Sequence, residues 1–230
     1  MTSKFIKIAL ILLAAMQLSA CAPLMFGGVI GGAMVASDRR TTGVQVEDET
    51  IEQRSATAMR ENFGSKEHIN ITSYNRQVLI TGEVTTDAAR RQVESLVGRI
   101  ENVRAVVNEL VVGPASSTSE RASDALLVAK VKAAMVDTED VFANVYKVVG
   151  ERGTIYLMGR VTQREGKRAT DVVRGVSGVK RVVRVFEYIT EEELRALQPK
   201  RKDETGKQTP VMSGSGTPLT TSQPVVTPIK

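Results

Sequence analysis

Apolar and polar residues alternate with two different periods along the first half of the chain. Positions 48–63 repeat apolar or small side chains at the spacing of one helix face. Two short segments around a polar turn alternate as strands do, and a β-branched run follows later. The predicted elements are a helix at 48–63, strands at 69–74 and 78–84, a helix from Thr85 or Thr86 to Ile100, and a strand at 103–112.

The same order of elements occurs a second time, which indicates an internal repeat. The pattern of an apolar run, a glycine, an apolar residue and a threonine aligns Gly82 with Gly159, and each glycine predicts a bulge or a close backbone approach at a strand end. We therefore expect two tandem domains, 47–113 and 120–190. The predicted elements of the second are a helix at 124–136, strands at 144–149 and 154–161, a helix at 163–174 and a strand at 179–189.

A targeting signal is indicated at the amino terminus. Lys4 and Lys7 precede an apolar run at 8–16, which is shorter than the ~20 residues of a membrane span. Residues 18–21, LSAC, resemble the lipobox of bacterial lipoproteins, and Cys21 is the only cysteine of the chain. That resemblance implies a signal peptide at 1–20 and acylation of Cys21 by diacylglycerol and a fatty acid such as palmitate. An ordinary secretory signal is the alternative.

The two predicted domains resemble the BON domain in element order and in the residues around Gly82 and Gly159. The turn sequences Ile-Glu-Asn-Val at 100–103 and Val-Ser-Gly-Val at 176–179 belong to the same resemblance, which covers about 48–189. It implies an α+β fold in which each domain has a three-stranded mixed sheet covered on one face by two helices. Two such domains behind a lipobox resemble the outer-membrane lipoproteins of this family. The resemblance implies an anchor on the periplasmic face, anionic phospholipid binding by the second domain and support of outer-membrane integrity.

The segments outside the two domains have distinct compositions. We expect 21–46 to be the acylated amino terminus and a glycine-rich stem, because its apolar stretch is too short to span a bilayer. Ala22 after the cysteine favours the outer membrane under the sorting rules of such lipoproteins. Residues 191–230 are polar and rich in proline, which predicts a disordered tail.

Charge separates the two domains. The chain carries +5 overall, residues 48–112 contain ten acidic and eight basic residues, and residues 120–189 contain nine acidic and thirteen basic residues. The second domain is therefore the one suited to an anionic surface. This mild balance, without a concentrated basic stripe, does not favour nucleic acid.

The helix that opens the second domain has two predicted faces. Its core face is predicted to contain Leu127, Val128, Val131, Ala134 and Met135. The opposite face carries Leu126, Lys130 and Ala133, which we predict to be lipid contacts, with an ordinary solvated face as the alternative. Family members often carry tryptophan at the position of Leu126, and this chain has no Trp, which implies a weaker interfacial anchor.

No pattern for catalysis, a metal or a cofactor is found. His68 is the only histidine and lacks a second His or a Cys nearby, and no phosphate-binding loop, nucleophile elbow or HExxH helix is present. We therefore predict a non-enzyme with no metal or cofactor. The alternative function is a periplasmic protein-interaction or chaperone-like adaptor for envelope proteins, since BON domains also occur in such proteins.

Overall fold

The computed structural model describes residues 38–64, 66–197 and 225–229. The first domain contains α1 (Thr42–Phe63), β1 (His68–Tyr74), β2 (Gln77–Val84), α2 (Asp87–Gly98), β3 (Ala105–Asn108) and β4 (Val111–Val112). The second contains α3 (Thr118–Val136), a 3₁₀ turn (Ala143–Val145), β5 (Tyr146–Glu151), β6 (Thr154–Val161), α4 (Gln163–Arg174) and β7 (Arg181–Tyr188). Two further elements follow, α5 (Glu191–Leu197) and β8 (Val225–Ile229). The α+β class and the repeated order of helices and strands are confirmed.

Both opening helices begin about one and a half turns before their predicted first residues. The Thr41 hydroxyl accepts from the Val44 amide, and Ser117 forms a reciprocal capping box with Glu120. Such caps satisfy the free amides of a first helical turn. The early turns are mostly exposed, so the apolar stripe that predicted these helices starts only later.

Each sheet is mixed, because its central strand pairs antiparallel on one side and parallel on the other. In the first domain β2 pairs antiparallel with β1 and parallel with β3 and β4, and in the second β6 pairs antiparallel with β5 and parallel with β7. The predicted strand at 103–112 is divided into β3 and β4. The division has a local cause, since the Leu110 amide donates to the Asn108 side chain and Leu110 turns into the core beneath the helices.

The repeated glycines lie where two backbones meet. A Cβ on Gly82 would lie 2.0 Å from the His68 carbonyl oxygen, and one on Gly159 would lie 2.8 Å from the Val145 carbonyl oxygen. Gly82 also has a φ of +112°, which disfavours other residues. The predicted close backbone approach is confirmed at both positions.

Each domain has a hydrophobic core between its sheet and its two helices. In the first domain this core includes Ile51 and Met59 from α1 and Val93 and Val97 from α2. The corresponding core of the second domain is built around Leu127, Val131, Met135, Ile155, Leu157, Val173 and Phe186. The predicted layer of two helices on one sheet face is therefore present in both.

A third core joins the two domains through the other faces of their sheets. Its buried members are Tyr74, Leu79 and Val107 from the first domain and Tyr156, Met158, Val183 and Val185 from the second. Polar contacts surround this core, among them Lys147–Glu52 at 2.7 Å and Arg181–Glu109 at 2.9 Å. Both sheets are thus covered on both faces, and the helices point outwards.

A buried aspartate in each opening helix holds the turn of the following hairpin. Asp48 accepts from the amides of Asn75 and Arg76 at 2.8 and 2.7 Å, and Asp124 accepts from the amides of Arg152 and Gly153, both at 2.8 Å. The aspartates lie 76 residues apart, at the repeat spacing. They connect each helix to its sheet.

The predicted disordered tail is wrong for the two parts of it that the structure describes. α5 begins after Thr190, whose hydroxyl accepts from the Glu193 amide at 3.1 Å, and Leu194 is buried. β8 pairs antiparallel with the outer edge of β7, from Val182 opposite Ile229 to Phe186 opposite Val225. An available strand edge accepts an extended segment, and Val-Val-Thr at 225–227 has high strand propensity. The rest of the tail lies outside the described residues.

Asp48→Ala should lower the free energy of unfolding by about 2–3 kcal/mol, because two turn amides and the Ser73 hydroxyl lose their charged acceptor. Urea denaturation followed by circular dichroism measures the change. Glu49→Ala, at the exposed adjacent position, should stay within about 0.5 kcal/mol of the parent. Equal losses in both variants would contradict the role assigned to Asp48.

Candidate functional site

The predicted lipidation site lies outside the described residues. Cys21, the signal peptide at 1–20 and most of the stem belong to the undescribed segment 1–37. Within 38–64, 66–197 and 225–229, no helix combines the length and the apolar character that crossing a bilayer requires.

The inner face of α3 packs into the core of the second domain, as predicted. Leu127, Val131 and Met135 are buried, and Val128 packs against them. These positions recur every three to four residues and correspond, 76 residues earlier, to buried Ile51, Ser55 and Met59 of α1. Packing therefore fixes which face of α3 points outwards.

All three predicted lipid contacts lie on the outward face of α3. Leu126 is 66% exposed, and Lys130 and Ala133 are also exposed. The same face carries exposed Ala122, Ala129 and Val136, the last of them 68% exposed. Sequence reasoning omitted Val136, whose spacing of ten residues turns it about 80° around the helix from Leu126, to the edge of this face. The result is an apolar stripe beside a lysine.

The corresponding face of α1 has a different character. At the repeat spacing of 76, the residues opposite Leu126, Ala129, Lys130, Ala133 and Val136 are Thr50, Gln53, Arg54, Thr57 and Arg60. This face also holds an ion pair, Arg54–Glu101 at 2.7 Å. The two helices pack alike on their sheets, but only α3 exposes an apolar stripe.

A groove of about 540 Å³ runs along the amino-terminal half of α3. Its other walls are the β5–β6 turn and the loop after α4, and Lys130, Arg152 and Lys180 line it. Lys130 and Lys180 have no hydrogen-bonded or ion-paired partner among the residues that the structure describes. Other basic residues of this domain are paired: Lys147 with Glu52, Arg152 with Glu83, Arg160 with Glu187, Lys167 with Asp171 and Arg181 with Glu109.

A buried polar cluster joins the domains at one end of the interdomain core. His68 Nδ1 lies 2.8 Å from Glu83, the Ser116 amide donates to Glu83 at 3.0 Å, and Asn70 donates to Glu151 of the second domain at 2.9 Å. Sequence reasoning missed this cluster because its members come from both domains. No local signal reveals the pairing.

The pKa values of Glu83 and Glu151 shift in opposite directions because their hydrogen-bond partners differ. Burial raises the pKa of Glu151, and the nearby negative charges of Glu83 and Asp124 add to that effect, against a hydrogen bond from Asn70. Burial also acts to raise the pKa of Glu83, but hydrogen bonds from Ser116, His68 and Arg152 outweigh it and leave that pKa below its ordinary value.

The chemistry of this cluster is that of a structural contact. Ser116 and Glu83 both approach the same ring nitrogen of His68, whereas a catalytic triad needs them on opposite nitrogens. His68, Glu83 and Glu151 are metal-ligand types whose donor atoms lie within 4.8 Å of one another. Their polar atoms are engaged with Asn70, Ser116 and the Arg152 guanidinium, and a cation beside that guanidinium would be repelled.

Comparison with known families decides what these domains are. The model of the BON domain matches residues 47–114 and 123–190. The chain belongs to the BON family. Each matched region of this BON protein contains a hairpin turn whose backbone amides donate to a buried aspartate of the opening helix, Asp48 in the first and Asp124 in the second.

Related proteins match most of the BON protein's length. It is 36% identical over 185 residues to the outer membrane lipoprotein DolP of Haemophilus influenzae, covering 80% of this chain and 96% of the relative. It is 30% identical over 154 residues to the 21 kDa hemolysin of Actinobacillus pleuropneumoniae, covering 66% and 79%. Among solved structures, CdsD of the Chlamydia trachomatis type III secretion system covers 64% of this chain at 12% identity with a TM-score of 0.27, too weak a likeness to bear on fold or function.

Glu151→Gln should change how stability depends on pH. A folded-state pKa above the unfolded value means that stability falls as pH rises from the ordinary carboxyl pKa through the raised one. The neutral amide removes this decline and can still accept from Asn70. The free energy of unfolding is measured in urea at pH 4.5 and pH 7.5. The difference between variant and parent should be more favourable to the variant at pH 7.5 than at pH 4.5.

Two matched substitutions control this experiment. Glu83→Gln should be destabilising by about 1–3 kcal/mol at pH 7.5, since its carboxylate is fully buried and receives three donors, and the loss should shrink as the parent's Glu83 is protonated in acid. Glu139→Gln makes the same chemical change at an exposed position and serves as the second control. A Glu151 variant that follows the Glu139 variant would refute the assignment.

Proposed function

We propose that this protein is an outer-membrane lipoprotein, acylated at Cys21 and held on the periplasmic face, whose second BON domain binds anionic phospholipid and supports outer-membrane integrity. The observation that carries the proposal is the exposed apolar stripe of α3 beside Lys130. Relatedness to an outer membrane lipoprotein of Haemophilus influenzae over most of both chains supports the anchor and the compartment.

The stripe has the chemistry of shallow interfacial docking. Leu126 and Val136 can enter the boundary between headgroups and acyl chains, and the Lys130 ammonium can meet a lipid phosphate. A basic residue near an anionic membrane contributes about 1 kcal/mol. The polar face of α1 offers no such combination, which favours the second domain for this role.

The connection to the anchor favours this domain as well. Arg39 forms a two-pronged ion pair with Glu165 at 2.6 and 2.8 Å and donates to the Arg160 carbonyl, so the chain enters the folded unit against the second domain. Arg39 lies eighteen positions after Cys21, a reach of at most ~65 Å. Acylation would therefore keep this domain close to lipid, where a weak surface contact is sufficient.

Lys130→Glu should weaken binding to anionic vesicles at least fivefold, because it replaces attraction to phosphate with repulsion. Co-sedimentation of the non-acylated mature chain with phosphatidylglycerol-containing vesicles measures this, with phosphatidylcholine vesicles as the reference. Leu126→Asp should have a comparable effect. Lys132→Glu makes the same charge change on another side of α3 and should cost less than twofold.

The result that would exclude the lipid role is equal sedimentation of the parent chain with both kinds of vesicle. Capture of one dominant envelope protein by crosslinking, independent of lipid charge and of Leu126, would instead favour the adaptor function.

Cys21→Ser should abolish anchoring, because the sulfur that receives the diacylglycerol is absent. Mass spectrometry of the native protein should find an amino-terminal cysteine at position 21 carrying acyl chains, and fractionation should move the variant out of the membrane pellet. A parent protein with a free thiol, or with the leader intact, would rule out the tether.

A further inference from the structure

The groove beside α3 is built from three separate parts of the second domain. Lys130 comes from α3, Gly153 from the β5–β6 turn, and Ser177 and Lys180 from the loop after α4. Leu127 contributes an apolar patch to its wall. Because the cationic side chains approach from different segments, a ligand in the groove would be contacted from more than one side.

The acidic side chains that line the groove accept hydrogen bonds from backbone amides and from a hydroxyl. Both Asp124 oxygens accept from the turn amides of Arg152 and Gly153. Glu120 accepts from the amide and hydroxyl of Ser117, which hold its pKa below the ordinary value. Neither carboxylate forms an ion pair with Lys130 or Lys180, and the charge of Lys180 contributes to the lowered pKa of Glu120.

Lys180 is held in place at its base and has a free ammonium. Its amide donates to the Gly153 carbonyl at 2.9 Å, and its side-chain stem lies so close to the turn that a Cβ on Gly153 would be 2.9 Å from Lys180 Cδ. Within the described residues, the ammonium of Lys180 and the hydroxyl of Ser177 have no hydrogen-bonded partner. The groove thus offers two unpaired ammonium groups and a free hydroxyl.

We propose that this groove binds the phosphodiester headgroup of a membrane phospholipid, with Lys130 and Lys180 as cationic contacts from two segments and Ser177 as a hydrogen-bond donor. This inference rests on the lipid-binding function proposed above and adds a headgroup site to it. Lys130 belongs to both the groove and the outward face of α3. A headgroup between the two lysines would therefore lie beside Leu126 as that side chain enters the bilayer surface.

Two chemical features favour a phosphodiester over a carboxylate ligand. Ammonium groups act as point charges and bind phosphate oxygens without the fixed planar fork that arginine provides for carboxylates. A phosphodiester also shares one negative charge between two non-bridging oxygens, and each oxygen can accept from a different donor, which suits lysines located on different segments.

The experiment uses the non-acylated mature chain and two probes, soluble glycerophosphoglycerol and phosphatidylglycerol-containing vesicles. In amide NMR titrations the soluble headgroup should shift Gly153, Ser177 and Lys180 in a saturable way. Lys180→Ala should weaken both headgroup and vesicle binding at least fivefold. Lys132→Ala, which removes an exposed α3 lysine outside the groove, should change either by less than twofold.

The possible failures are distinct. If vesicles bind and Leu126→Asp abolishes binding, but Lys180→Ala matches the parent, the groove inference is overturned and the lipid function stands. If the parent does not distinguish anionic vesicles, the lipid function itself fails. Inorganic phosphate that saturates the same amides as tightly as the headgroup would overturn the headgroup assignment in favour of a general phosphate site.

Discussion

The apolar core between the two sheets is the contact on which the rest of the structure depends. Residues such as Leu79, Tyr156 and Val183 remove the second face of each sheet from water, and each buried side chain of this size contributes about 1.5–3 kcal/mol. Two small domains with aliphatic cores thereby become one larger unit. Because the sheets face each other, the helices must face outwards, and this arrangement gives α3 an exposed side.

Repetition preserved the scaffold and changed its surfaces. Gly82 and Gly159 solve the same close approach, and Asp48 and Asp124 hold the same turn. Elsewhere the copies differ: the residue after the aligned glycine is the buried carboxylate Glu83 in the first copy and the guanidinium of Arg160 in the second. The outer face of the opening helix is polar in the first copy and apolar in the second. The two copies therefore share their internal packing and differ in their surfaces, so each copy can have a different role.

The periodicity of apolar residues predicted the helices, the strands and their buried faces, which depend on local spacing. It missed the features that depend on tertiary contacts. It separated buried Leu127 from exposed Leu126 and placed both sheets' central strands, because a helix face and a strand face are read directly from neighbouring residues. It could not place His68 and Glu151 on either side of Asn70, or Lys180 against Gly153, since these residues meet only after distant segments fold together. The pairing of β8 also depends on a tertiary contact, with the edge of β7, and not on local propensity.

A lipid tether changes how strong a surface has to be. Because the chain has no tryptophan, Leu126 is the main apolar side chain on the outward face of α3. A single leucine would be a modest anchor for a protein that reached the membrane by diffusion. For an acylated chain clamped to the second domain through Arg39 and Glu165, the membrane is always within reach, and the effective concentration of lipid is high. Under the proposed function, a small stripe and two lysines would determine orientation and lipid preference, while the acyl chains would supply attachment. The weakness of the surface is thus compatible with the proposed function, because binding strength and recognition belong to different parts of the molecule.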